Sequence, residues 1–138
     1  MISRRGLIKN CLASLVAVKV PTSAFSAKNV SRYRIIAQKS EHQFYEGANL
    51  SDLFLYNGSS PGPLIVEKKG NILEVEFLNL LDEPSSIHWH GIRNLNHMDG
   101  VPGLTQAPVE PGETFTYRFP LNDAGTFWYH SHSQAWNQ

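Results

Sequence analysis

The sequence predicts an all-β fold, an antiparallel sandwich or barrel, on three observations. Short runs rich in β-branched and aromatic residues recur along the chain, Gly/Pro/Asn turn chemistry separates them, and no stretch shows clean helical periodicity between two caps. The expected strands are 33–39 (YRIIAQK), 53–57 (LFLYN), 63–69 (PLIVEKK), 71–80 (NILEVEFLNL), 85–90 (SSIHWH), 114–121 (TFTYRFPL) and 125–132 (GTFWYHSH). The segments EGANLSD, NGSSPGP and KKGN supply the turns between the first four. Within 72–79, alternation puts Leu73, Val75, Phe77 and Asn79 on one face and Ile72, Glu74, Glu76 and Leu78 on the other. The glutamates solvate the second face at its middle, which marks a sandwich strand rather than a buried parallel one. Phe115, Tyr117 and Phe119 likewise share one face. Between the strand 85–90 and the strand 125–132, each with a pair of histidines, lies 91–112, a Gly/Pro/Asn-rich loop long enough to expect a function of it.

A chain of 138 residues is the size of one domain. Its formal charge of zero hides an asymmetry, because residues 1–26 carry Arg4, Arg5, Lys9 and Lys19 and no acid. The remainder holds eight basic against twelve acidic residues, about −4, a poor partner for nucleic acid or an anionic membrane. The N-terminus itself reads as a cleaved export signal over 1–26: a basic start, the short apolar run CLASLVAV, then the small residues of PTSAFSA. SRRGLIK resembles a twin-arginine signal, with Arg4 and Arg5 as the pair and Leu7 and Ile8 following, so a periplasmic destination is expected. Cleavage is expected after Ala24 or Ser26. The apolar run is far short of the ~20 residues that span a bilayer, so no membrane attachment is expected after cleavage. Cys11, the only cysteine, lies inside the signal, and the mature chain is expected to use no disulfide, thiolate ligand or cysteine nucleophile.

Four of the six histidines fall in two H-x-H pairs, His88/His90 and His130/His132. On a strand, residues i and i+2 share a face about 6.5–7 Å apart, so each pair presents two imidazoles side by side. If the strands approach, four nitrogen donors converge, a set suited to copper, zinc, iron or nickel and poor for calcium or magnesium. Neutral imidazoles are also cheaper to bury between sheets than carboxylates. His42 and His97 lack such a setting and read as surface or loop residues. Trp89, Trp128 and Tyr129 read as core packing. Two other folds with paired histidines are disfavoured. A cupin needs a glutamate shortly after the first pair, which HWHGIRNLN does not offer, and a copper-zinc superoxide dismutase needs a disulfide.

With these residues in view, the chain resembles the N-terminal cupredoxin domain of the multicopper oxidases, the laccase-like and copper-resistance enzymes. The matching run is nearly continuous from Tyr56 to Ser133: YNGSSPGPLI, GNILEVEFLNLL, SSIHWHGI, MDGVPGLTQAPVEPGETFTYRF and AGTFWYHSH. The resemblance implies a cupredoxin-like Greek-key β-sandwich over 27–138. It implies that His88 is a ligand of a type 2 copper, that His90 and His130 serve one type 3 copper, and that His132 serves the other. Asp99, in MDG, matches an acidic position that relays protons to the oxygen being reduced. These four histidines are half the ligand set of a trinuclear cluster. The other half, and the cysteine of a type 1 copper, have no counterpart in the chain. It also stops where the family continues into a strand that closes the first domain, so the sandwich is expected to lack its last strand or strands. The expectation is therefore the first part of a longer oxidase, dependent on copper and O2 and inactive alone, with its missing C-terminal part on the same gene or separately encoded. The alternative is a stand-alone exported module that sequesters copper.

Overall fold

The computed structural model describes residues 29–133, so the expected export signal and its cleavage sites lie outside the described residues. Six strands form: β1 Val30–His42, β2 Ser51–Tyr56, β3 Ile72–Asn79, β4 His88–His90, β5 Thr114–Pro120 and β6 Trp128–His130, with one 3-10 turn at Asn96–Met98. They build a four-stranded sheet in the order β2-β1-β3-β5 and a two-stranded sheet of β4 and β6. The two sheets do not close into a barrel. Among the described residues no helix is long and apolar enough to cross a membrane.

The alternation of β3 sets the layer order. Leu73, Val75 and Phe77 point inward with Tyr117 and Phe119 of β5 and Ile35 and Ala37 of β1, and meet Ile87 and Trp89 from the histidine-bearing side. On the outer face, Glu74 pairs with Arg32 at 2.8 Å and Arg118 at 3.0 Å, and Glu76 with Arg34 at 2.9 Å. Both faces are as the pattern predicted. Asn79, the one amide on the inward face, is fully buried. Its Nδ2 donates to the carbonyls of Glu83 and Val109, both at 2.8 Å, and its Oδ1 accepts from Leu81 N–H at 3.0 Å. A buried amide satisfied in this way fixes the path of the chain from β3 toward β4.

Two expectations are corrected. The main sheet is mixed rather than purely antiparallel, because β1 and β3 pair parallel from Val30↔Ile72 to Ala37↔Asn79. The chain turns back through β2 and then crosses over, so β3 runs beside β1 in the same direction. The segment 63–69, expected as a strand, joins no ladder. It does alternate in exposure, with Leu64 85% and Val66 73% exposed. Side chains rather than a neighbouring strand hold it: Tyr129 Oη donates to Pro63 O at 2.7 Å and Tyr33 Oη to Glu67 Oε1 at 2.8 Å. Alternating sequence reports which side faces the core, not whether a partner strand is present.

Tyr117 ties β5 to the histidine-bearing side. Its hydroxyl, wholly buried, accepts the Ile87 N–H at 2.9 Å, one residue before His88. Burial pushes the phenol up to about 12, with the Ile87 bond acting against it. Tyr117→Phe orphans that N–H and should cost about 1–3 kcal/mol. The same variant should flatten the alkaline limb. Between the unfolded value near 10 and the folded one, the native state keeps a proton that the unfolded chain has lost. Stability present below the unfolded value is therefore lost as pH rises through this window, by up to about 1.4 kcal/mol per pH unit. Urea midpoints in mildly and strongly alkaline buffer check both effects. An equal alkaline loss in the variant would assign it to other tyrosines.

Candidate metal centre

β4 and β6 pair antiparallel in the register His88↔His130, Trp89↔Tyr129, His90↔Trp128. Because side chains alternate, Trp89 and Tyr129 take one face, and His88, His90, Trp128 and His130 the other. Trp89 is only 2% exposed and packs edge-on to Tyr117 at 5.5 Å and Phe119 at 5.3 Å between ring centroids. Its burial turns the flanking histidines outward together.

On that outward face the four imidazoles gather. Ring centroids lie 5.6 Å apart for His88/His90, 5.3 Å for His88/His130, 5.5 Å for His90/His130 and 5.3 Å for His88/His132. One ligand atom from each of His88, His90 and His130 falls within 4.8 Å of the others. His132, beyond the end of β6, stands outside that trio but against His88. The tightest approach is His90 Nδ1 to His130 Nε2, 3.3 Å. Two nitrogens bound to one ion at about 2.0–2.1 Å and a tetrahedral angle lie about 3.3–3.4 Å apart.

Backbone carbonyls settle which nitrogens are free. His88 Nδ1 lies 2.7 Å from Asp99 O and His130 Nδ1 lies 2.8 Å from Ser131 O. A carbonyl can only accept, so both Nδ1 atoms carry the proton and each Nε2 presents a lone pair, the usual outer support of a metal-binding histidine. Burial holds the His130 imidazole below its ordinary value, reinforced by His88, His90 and His132 nearby and opposed by the Ser131 carbonyl. It is therefore neutral and ready to bind at neutral pH. The donor set is all imidazole, and fits copper, zinc or nickel.

Asp99 reaches the site mainly through its main chain. Its Oδ2 is 3.6 Å from His88 Nδ1, outside hydrogen-bond range, whereas its carbonyl bonds that nitrogen. Gly100 makes this approach possible. With φ +81°, it lies so close to the strand that a Cβ would sit 1.7 Å from Ile87 O. The loop after β4 is also fastened to the loop before β6, where Arg93 Nε and Nη2 donate to Asp123 at 2.8 and 2.7 Å.

Of the remaining expectations, His42 and His97 stay out of the cluster. His42 ends β1 edge-on to Phe44 at 5.0 Å, and His97 is exposed in the 3-10 turn. Trp89 and Tyr129 pack in or against the core, but Trp128 does not: it is 57% exposed and shares the histidine face. The alternation that sends Trp89 inward sends Trp128 outward with His130, so the signal was present in the sequence. The supporting carbonyls of Asp99 and Ser131 had none, since a carbonyl belongs to every residue.

Comparison with known proteins follows the same lines. The family profile described as multicopper oxidase matches residues 37–138. A multicopper oxidase of Talaromyces pinophilus is 40% identical over 107 residues, 74% of this chain and 18% of that protein. Copper resistance protein A of Escherichia coli is 36% identical over 140 aligned positions, 95% of this chain and 23% of that protein. The crystal structure of a multicopper oxidase from Pseudomonas thermotolerans superposes with a TM-score of 0.75 at 42% identity, over 79% of this chain and 26% of that one. The chain thus spans about a quarter or less of the length of these relatives, and its fold is their cupredoxin-like one. With sequence profile, relatives and fold in agreement, the chain belongs to the multicopper oxidase family, covering the N-terminal domain region of its members.

Proposed function

We propose that residues 27–138 are the copper-binding N-terminal domain of an exported multicopper oxidase, which oxidises phenolic or metal-ion substrates and reduces O2 to water with four electrons. The observation that carries this reading is the 3.3 Å approach of His90 Nδ1 and His130 Nε2, a spacing suited to one shared ion. His90 and His130 then serve one type 3 copper, His132 the other, and His88 the type 2 copper.

Copper bound here with its full ligand set supplies the electron transfer to dioxygen. This chain's own residues hold and orient. Asp99 O fixes the His88 ring through Nδ1, and the partly exposed Asp99 Oδ2, 3.6 Å from that nitrogen, is the carboxylate placed to relay protons toward the oxygen being reduced. The type 1 thiolate and the remaining histidines come from a C-terminal oxidase part, on the same chain or a separately encoded one, because Cys11 lies in the export signal that takes the domain to the periplasm.

Electron paramagnetic resonance of the chain titrated with Cu2+ tests this. The expected spectrum shows nitrogen coupling from several imidazoles, without the intense blue absorption of thiolate-bound copper. Copper held without imidazole nitrogen would overturn the assignment.

A further inference from the structure

Among the described residues of β4 and β6, Trp128 is the one large aromatic residue on the histidine face, and its contacts there are the imidazoles of two candidate ligands. Its ring centroid lies 4.2 Å from that of His130 with the planes 30° apart, and 4.8 Å from that of His90 at 32°. Both contacts follow from the ladder, since Trp128 precedes His130 by two residues and is the cross-strand partner of His90. More than half of its surface remains open to water, and it takes no part in the buried core. A large apolar ring left on the surface gains little from burial. What it does provide is a flat wall, tilted about 30° to each ring, against two imidazoles whose nitrogens approach to 3.3 Å.

We propose that Trp128 is a positioning residue for the metal centre: its indole, packed against both His90 and His130, fixes the tilt of both rings so that Nδ1 of one and Nε2 of the other face a single ion. The Nδ1 of His130 is anchored to the Ser131 carbonyl, but His90 has no such backbone anchor in the hydrogen bonds described for it. The indole is what restrains rotation of the His90 ring. Holding the pair in its bound geometry before metal arrives lowers the ordering cost of binding. The inference rests on the reading of His90 and His130 as ligands of one ion.

The test is Cu2+ affinity by competition with a chelator, with the spectrum of the bound ion and the urea midpoint of the metal-free chain, for Trp128→Ala, Trp128→Leu and Trp128→Phe. Outer-shell supports of metal ligands are worth about 10–100-fold in affinity. The alanine and leucine variants should weaken binding roughly 10-fold and change the copper hyperfine splitting, with the metal-free midpoint unchanged. Phenylalanine, which keeps a flat face, should restore most of the affinity. Leucine separates stacking from simple apolar cover: if it binds as well as phenylalanine, the positioning role is wrong. Wild-type affinity in the alanine variant overturns the proposal as well. Should copper binding in the wild-type chain survive loss of both His90 and His130, the ligand assignment fails first and the role of Trp128 with it.

Discussion

Gly100→Ala is expected to cost about 3 kcal/mol or more of stability and to weaken metal binding at the same time. Two effects add. The new methyl would lie 1.7 Å from Ile87 O and 2.9 Å from His88 N, both backbone atoms that cannot rotate aside. In addition, a φ of +81° is unfavourable for any residue with a Cβ, by roughly 1–2 kcal/mol. To relieve the clash, the Asp99–Gly100 backbone must retreat from the strand. The Asp99 carbonyl then leaves His88 Nδ1, and the ring loses the bond that fixes its tautomer. Gly112→Ala is the matched control. Its φ of +80° is equally strained, but nothing lies within 4 Å of the added methyl, so only the conformational cost of about 1 kcal/mol should appear. Urea midpoints and Cu2+ titrations of both variants make the comparison. Equal midpoints for the two would show that the loop is not packed against the His88 strand in solution.

The second large effect concerns the ligands. His90→Ala and His130→Ala should each lower Cu2+ affinity by about 100-fold or more, beyond the range of outer-shell losses. His42→Ala and His97→Ala, whose rings lie away from the cluster, should leave it unchanged. The double variant separates one shared ion from several. If His90 and His130 serve the same copper, removing both should cost little more than removing either, a strong departure from additivity. His90→Ala combined with His132→Ala should instead show losses on two distinct ions. Additive effects for His90 and His130 would mean that the 3.3 Å approach does not reflect a shared ligand set.

Much of this arrangement is legible before any coordinates. Period-two alternation in 72–79 names the buried residues of β3, including Asn79, because one face must pack and the other must meet water. Two H-x-H pairs announce a cluster of imidazoles because strand geometry sets each pair on one face. What the sequence hides is of three kinds. The parallel pairing of β1 with β3 depends on how the intervening chain crosses over, which local pattern does not encode. Segment 63–69 carries a strand's alternation but no ladder, since hydrogen bonding to a neighbour leaves no mark on its own residues. The outer support of His88 and His130 comes from main-chain carbonyls, whose position depends on loop conformation rather than on residue type.

The pairing of β4 with β6 also carries its own specification of register. In the native register every second residue is aromatic and inward, Trp89 beside Tyr129, and the imidazoles lie outward. A slip of one residue would drive histidines into the aromatic core and expose Trp89, reversing both preferences at once. The metal need not be present to reject that error, because hydrophobic packing alone penalises it. Copper would then meet a ribbon whose register has already been checked by residues that never touch it.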